Sequence, residues 1–111
     1  MRTRKYGNRK VMYDGHVFDS RKECERYKEL MQMFMNDEIS VPICQQTFEL
    51  LPSQRGPDGK VIERPVRYKA DFTYIKDGEM IVEDTKGVKT PEYVIKRKLM
   101  LYVHGIRINE L

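Results

Sequence analysis

Cysteine and histidine are scarce, with two of each in 111 residues. Cys24 and Cys44 fit neither a disulfide framework nor a zinc spacing, so both read as reduced thiols of the core. His16 and His104 stand alone, which leaves no Cys/His nucleophile and no zinc site. No apolar run approaches the roughly 20 residues that span a bilayer. The opening MRTRKYGNRK lacks the apolar segment of a secretory signal. The expectation is a chain with no membrane partner that stays in the compartment where it is made. Repeats, linkers and low-complexity segments are also missing. One domain is therefore expected over residues 11–111, after a basic arm at residues 1–10.

Acidic residues are absent from that arm, which carries Arg2, Arg4, Lys5, Arg9 and Lys10. Taking those five cations from the net charge of +4 leaves −1 on the remainder. A basic arm on a near-neutral body suggests contact with a polyanion, most simply nucleic acid. A solubilising tail would have the same composition.

Turn and cap signals divide the rest. Asp14-Gly15 between Val11-Met12-Tyr13 and His16-Val17-Phe18 predicts a tight hairpin. Ser20 and Glu23 form a capping box, opening a helix to about Asn36 with Cys24, Tyr27, Leu30, Met31, Phe34 and Met35 as its apolar stripe. A strand is expected from Ile43 to Leu51 and a loop from Pro52 to Lys60. An extended segment follows from Val61 to Ile75, with Pro65 at an edge or bend. Thr90-Pro91 opens a second helix, expected to bury Ile95, Leu99, Tyr102 and Val103 and to end at Gly105. Ile106-Arg107-Ile108 reads as a final short strand.

The most informative stretch is RYKADFTYIKDGEMIVEDTKG, residues 67–87. A two-residue turn at Asp77-Gly78 pairs Lys76 with Glu79, Ile75 with Met80, Thr73 with Val82, and Asp71 with Asp84. Lys86 then shares their face and Glu83 points the other way. Opposed strand residues have Cβ atoms roughly 4.5–5.5 Å apart, where like charges destabilise a sheet. At about 5 Å and an effective dielectric of about 20, two carboxylates repel by on the order of 3 kcal/mol. A hard divalent cation offsets this repulsion. So does solvation of the hairpin end, with Lys69, Lys86 and water screening both acids.

With those acids placed, the order of helix, three strands, helix and strand resembles the core of the PD-(D/E)XK nuclease superfamily. Ala70-Asp71 is similar to the first half of its motif, and Asp84-Thr85-Lys86 to the second. Ala70 stands where the superfamily's name has proline, and Asp84 is one methylene shorter than the commoner glutamate. Most of the chain also resembles a phage-encoded family of small endonuclease-like domains of unknown function, through KYGNRK, FDSRKECERY, ADFTYI and VEDTKG. The resemblance implies an α/β, restriction-endonuclease-like fold, a helix, a three-stranded antiparallel meander, a helix and a strand, preceded by the basic arm and a β-hairpin. It implies hydrolysis of phosphodiester bonds with Mg²⁺ (or Mn²⁺) held by Asp71 and Asp84, and Lys86 orienting water or neutralising charge on phosphate. For a phage-encoded chain the compartment is the host cytoplasm.

Glu23 has two readings. The capping box alone accounts for it. It also lies on the apolar stripe, one turn before Tyr27, where a buried carboxylate needs a partner, and a first-helix acid near the metal is what the resemblance implies. Lys89, Lys96, Arg97 and Lys98 either contact the nucleic-acid backbone or form a solvated helix face. The leading expectation is a Mg²⁺-dependent DNA endonuclease, with RNA left open as substrate, acting on branched, replication or packaging intermediates. Cutting two strands at this size would call for a homodimer or a phage or host protein partner. The alternatives are a nucleic-acid-binding domain that keeps the fold without useful catalysis, and a protein-interaction domain.

Overall fold

In the computed structural model, which describes residues 9–111, both Asp-Gly pairs turn the chain back on itself. Asp14 and Gly15 take φ of 53° and 77°, and Asp77 and Gly78 take 51° and 81°, as a type I′ turn requires. The first turn joins β1 (Val11–Tyr13) to β2 (His16–Phe18). The second joins β8 (Phe72–Lys76) to β9 (Glu79–Asp84) in the expected register, with Lys76 opposite Glu79 and Thr73 opposite Val82. Arg2, Arg4 and Lys5 of the basic arm lie outside the described residues.

One expected pair is not a ladder pair. The β8–β9 ladder ends at Phe72 opposite Glu83, and Asp71 sits one residue beyond, at a bend. The cause lies in the neighbouring strand. Gln45 has φ 57°, a left-handed conformation uncommon for a residue with a side chain, and it splits the expected 43–51 strand into β3 (Ile43–Cys44) and β4 (Thr47–Leu51). The adjoining segment breaks at the same level, into β7 (Val66–Lys69) and β8, with Gln45 N–H bonded to Asp71 O and Ala70 N–H to Gln46 O. The two strands kink together, and Asp71 occupies the kink.

The four-stranded sheet runs β10-β9-β8-β3, with β10 (Asn109–Glu110) parallel to β9 and the other pairs antiparallel. Beyond the kink, β4 and β7 form a two-stranded extension. Alternation along β8 and β9 assigns the two helices to opposite faces. On one face, α1 (Arg21–Met35) packs Cys24, Tyr27 and Leu30 against Phe18, Phe72 and Tyr74. On the other, α2 (Pro91–His104) packs Tyr93 and Met100 against Phe48, Leu50, Tyr68 and Val82. The fold is mixed α/β, and no described helix is long and apolar enough to cross a membrane.

Four expectations need correction. The stripe of α1 shifts at its end: Phe34 and Met35 are exposed, while Met33 packs partly against the core that holds Tyr27 and Leu30. The segment 52–60 is not all loop: β5 (Gln54–Arg55) pairs with β6 (Val61–Glu63) across a tight connection closed by Gly56 and Lys60. On α2 the buried residues are Tyr93 and Met100, with Leu99 partly buried, while Ile95, Tyr102 and Val103 face outward. Tyr93 sets this phase, since its ring lies near Tyr68 and its hydroxyl donates to Glu110. Lys96 and Arg97 lie on the inward side as half-buried stems with their charges at the rim. The last strand is displaced from 106–108 to Asn109–Glu110, because Ile106 and Ile108 turn into the α2-side core after the left-handed Gly105.

Candidate functional site

The first turn of α1 delivers Glu23 to the kinked end of the sheet. Ser20 caps the helix, its Oγ accepting from the Glu23 N–H at 3.1 Å. The reciprocal half of the box is shifted by one residue: Glu23 Oε2 accepts from the Asp19 N–H at 2.9 Å rather than from the cap residue. Glu23 is 2% exposed. Its Oε1 is buried and, among the described residues, has no hydrogen-bond partner. Burial first, and then the charge of Asp71, push its carboxyl up to about 7.

Asp71 is also buried, and Oδ2 accepts from the Thr85 N–H at 2.7 Å and from the Thr85 hydroxyl at 2.8 Å. Burial raises its pKa, the Thr85 backbone bond opposes that, and the charge of Asp84 adds to it. Thr85 and Lys86 follow directly from β9. Together with Asp19, Glu23 and Asp71 they line a cavity of about 540 Å³. The structure thus brings Glu23, Asp71 and Lys86 to one place.

Asp84 is held differently and does not line that cavity. Its Oδ2 accepts from the Tyr68 hydroxyl at 2.7 Å and its Oδ1 from the Lys86 N–H at 2.9 Å. The Lys86 ammonium lies 3.8 Å from Oδ2 and 5.7 Å from the centre of the Tyr93 ring, over its face. Asp84 therefore sits behind Lys86 with both oxygens engaged. Among the described residues, no three His, Cys, Asp or Glu side chains stand close enough to form a metal-holding group. Glu23, Asp71 and Asp84 are not a closed cage.

The other expected cations are dispersed. Lys10 pairs with Asp19, Lys89 and Arg97 with Glu110, and Lys96 with Glu92. Arg9 and Lys98 are exposed. Lys86 and Lys96 also border a second cleft of about 420 Å³, whose β7 wall carries Arg67 and Lys69.

The largest omission from the sequence reading is Glu83. At 1% exposure it accepts from Arg26 Nε at 2.9 Å and Nη2 at 2.7 Å, and from the Tyr74 hydroxyl. Strand parity already turned it toward α1, and Arg26 lies three residues after Glu23 on that helix, one helical step along the same side. Those two facts together were the available signal.

No curated protein and no solved structure matches the chain. A family model does match, over residues 3–107, a span that contains Glu23, Asp71, Asp84, Lys86 and the whole of α2. The chain belongs to the family described as protein of unknown function (DUF1064).

Proposed function

We propose that the protein is a metal-dependent phosphodiester hydrolase acting on nucleic acid, built on a restriction-endonuclease-like core. The observation that carries this reading is Glu23 Oε1, a buried carboxylate oxygen that has no hydrogen-bond donor among the described residues, in the same cavity as Asp71 and Lys86. Buried polar atoms without partners are rare, and each one calls for an explanation. The order α1, β3–β4, β7–β8, β9, α2, β10 supports the proposed core.

The donor set fits a hard divalent cation. Glu23 and Asp71 are oxygen ligands whose carboxyls are both raised by burial and by nearby acids, and positive charge relieves both effects. Bound there by Glu23 and Asp71, Mg²⁺ or Mn²⁺ would acidify water and offset charge on the phosphate. The remaining work falls to the chain itself. Thr85 fixes the Asp71 carboxylate through two hydrogen bonds. Asp84 steadies the backbone of Lys86 and lies near its ammonium. Lys86 lines the cavity and can neutralise charge as a water oxygen bonds to phosphorus, the bridging P–O bond breaks and the leaving oxygen takes a proton.

A second reading, a nucleic-acid-binding domain without useful catalysis, is favoured by one observation: both oxygens of Asp84 are already engaged. The two readings separate when the full chain is incubated with supercoiled, linear, single-stranded and four-way-junction DNA, each with Mg²⁺, Mn²⁺ or EDTA. The hydrolase reading expects metal-dependent cleavage that Glu23→Gln and Asp71→Asn abolish. Binding without cleavage of any substrate in any metal supports the second.

A further inference from the structure

Two cavities meet at Lys86 and Thr90, and their linings carry opposite charge. The first holds Asp19, Glu23 and Asp71. The second, between β7 and the N-terminal half of α2, holds Arg67, Lys69, Lys86 and Lys96 against the single acid Glu92. We propose that this second cleft is a phosphate-backbone track, leading one strand of nucleic acid past Lys86 to the acidic cavity. The proposal rests on the phosphodiester-hydrolase reading and assigns the binding surface to Arg67, Lys69 and Lys96.

The fold supplies the reasons. Arg67 and Lys69 alternate along β7 with Tyr68, whose ring is buried in the α2-side core, so both cations stand exposed. Among the described residues neither forms an ion pair. Lys96 does pair, with Glu92 at 3.1 Å, but Glu92 is 79% exposed. A surface pair of this kind is weak and exchanges readily for a phosphate. Lys89 and Arg97 share Glu110, whose carboxyl is lowered by the Tyr93 hydroxyl first and by those two cations after it. They are less available, which places the binding surface at the cleft rather than around Glu110. Among the described residues β7 pairs only with β4, leaving its other edge open. The cleft, at about 420 Å³, falls in the size range that encloses small ligands and suits one backbone rather than a duplex.

The test measures binding of the full chain to a fluorescein-labelled single-stranded oligodeoxynucleotide across a salt series, in EDTA. Each phosphate contact contributes about 0.7 to the log–log salt slope on a single strand. The double substitution Arg67→Gln, Lys69→Gln is expected to lower the slope by about 1.4, and Lys96→Gln by about half of that. Lys76→Gln, at the far end of β8, is expected to leave it unchanged. Melting midpoints confirm that each variant is folded, and Lys96→Gln on the helix surface tests the cleft independently if the strand variant is not. A slope equal to wild type in the folded variants overturns the track and makes Arg67 and Lys69 guards against edge-to-edge sheet pairing. Because no metal is present, this outcome is independent of whether the chain cleaves. Cleavage with an unchanged slope rejects the cleft and leaves the hydrolase standing, whereas a reduced slope without cleavage does the reverse.

Discussion

Glu23 and Glu83 are both almost fully buried, at 2% and 1% exposure, yet the fold treats them in opposite ways. Glu83 meets a guanidinium through both oxygens and a tyrosine hydroxyl through one. Such bidentate, charge-assisted bonds are the strong ones. Among the described residues, Glu23 receives one backbone N–H on Oε2 and nothing on Oε1. Both carboxylates left water, and only one was fully recompensed inside the chain. Glu83 is thus a structural acid that ties β9 to α1. Glu23 is strained electrostatically, in a cavity it shares with Asp71, and that imbalance is what a bound cation would remove.

The largest expected effect comes from breaking the satisfied member. Arg26→Ala strands a buried Glu83 and should destabilise the protein by about 3–5 kcal/mol, measured by urea denaturation. Arg26 gains in turn, its pKa held above the ordinary value chiefly by Glu83. A loss under about 1 kcal/mol would mean that solvent replaces the guanidinium and the pair is not structural.

The unsatisfied member should reveal itself through pH. A carboxyl whose folded pKa exceeds its unfolded value binds its proton more tightly in the folded state. Its contribution is present below an ordinary 4.5 and is lost as pH rises through about 7. Metal-free wild type should therefore lose about 3 kcal/mol relative to Glu23→Gln between those limits. Urea titrations in EDTA at several pH values measure the difference. Parallel pH profiles for the two proteins would show that Glu23 is solvated in the folded state.

Lys86→Ala should lower the cleavage rate by roughly a hundredfold or more, as loss of a charge-stabilising group does, while leaving metal affinity within a few-fold. Calorimetry and single-turnover kinetics on the same preparation separate the two. Metal affinity falling in step with rate would make Lys86 part of the metal site's support instead. The smallest expected effect is at the cap: Ser20→Ala should cost about 1 kcal/mol, measured by thermal melting. It should also loosen the turn that aims Glu23, so cleavage should fall further than stability alone explains.

Local chemistry made much of this legible before any coordinates. Asp-Gly turns specify their own register, so the β8–β9 pairing could be counted from Asp77-Gly78 alone. Ser20 and Thr90 announce two helices because caps act within one turn. What was not legible depends on distant partners. The kink that removes Asp71 from the ladder originates at Gln45, in another strand, and a glutamine does not advertise a positive φ. The phase of α2 follows from Tyr93 meeting Tyr68 and Glu110, while the half-buried stems of Lys96 and Arg97 disguise its inner face as a solvated one. The Arg26–Glu83 pair spans 57 positions, and neither residue alone signals the other. The same holds for the site. Glu23, Asp71 and Lys86 stood out by type and position, but the engagement of Asp84 by Tyr68 did not.

If Glu23 Oε1 belongs to a divalent-cation site, the metal should stabilise the folded chain through Glu23. The most direct measurement is the change in melting midpoint on adding Mg²⁺ to metal-free wild type, Glu23→Gln and Lys76→Gln under one set of conditions. Mg²⁺ is expected to stabilise wild type and Lys76→Gln alike, and this stabilisation is expected to be lost in Glu23→Gln. Equal Mg²⁺ stabilisation of all three, or none in any, would contradict it.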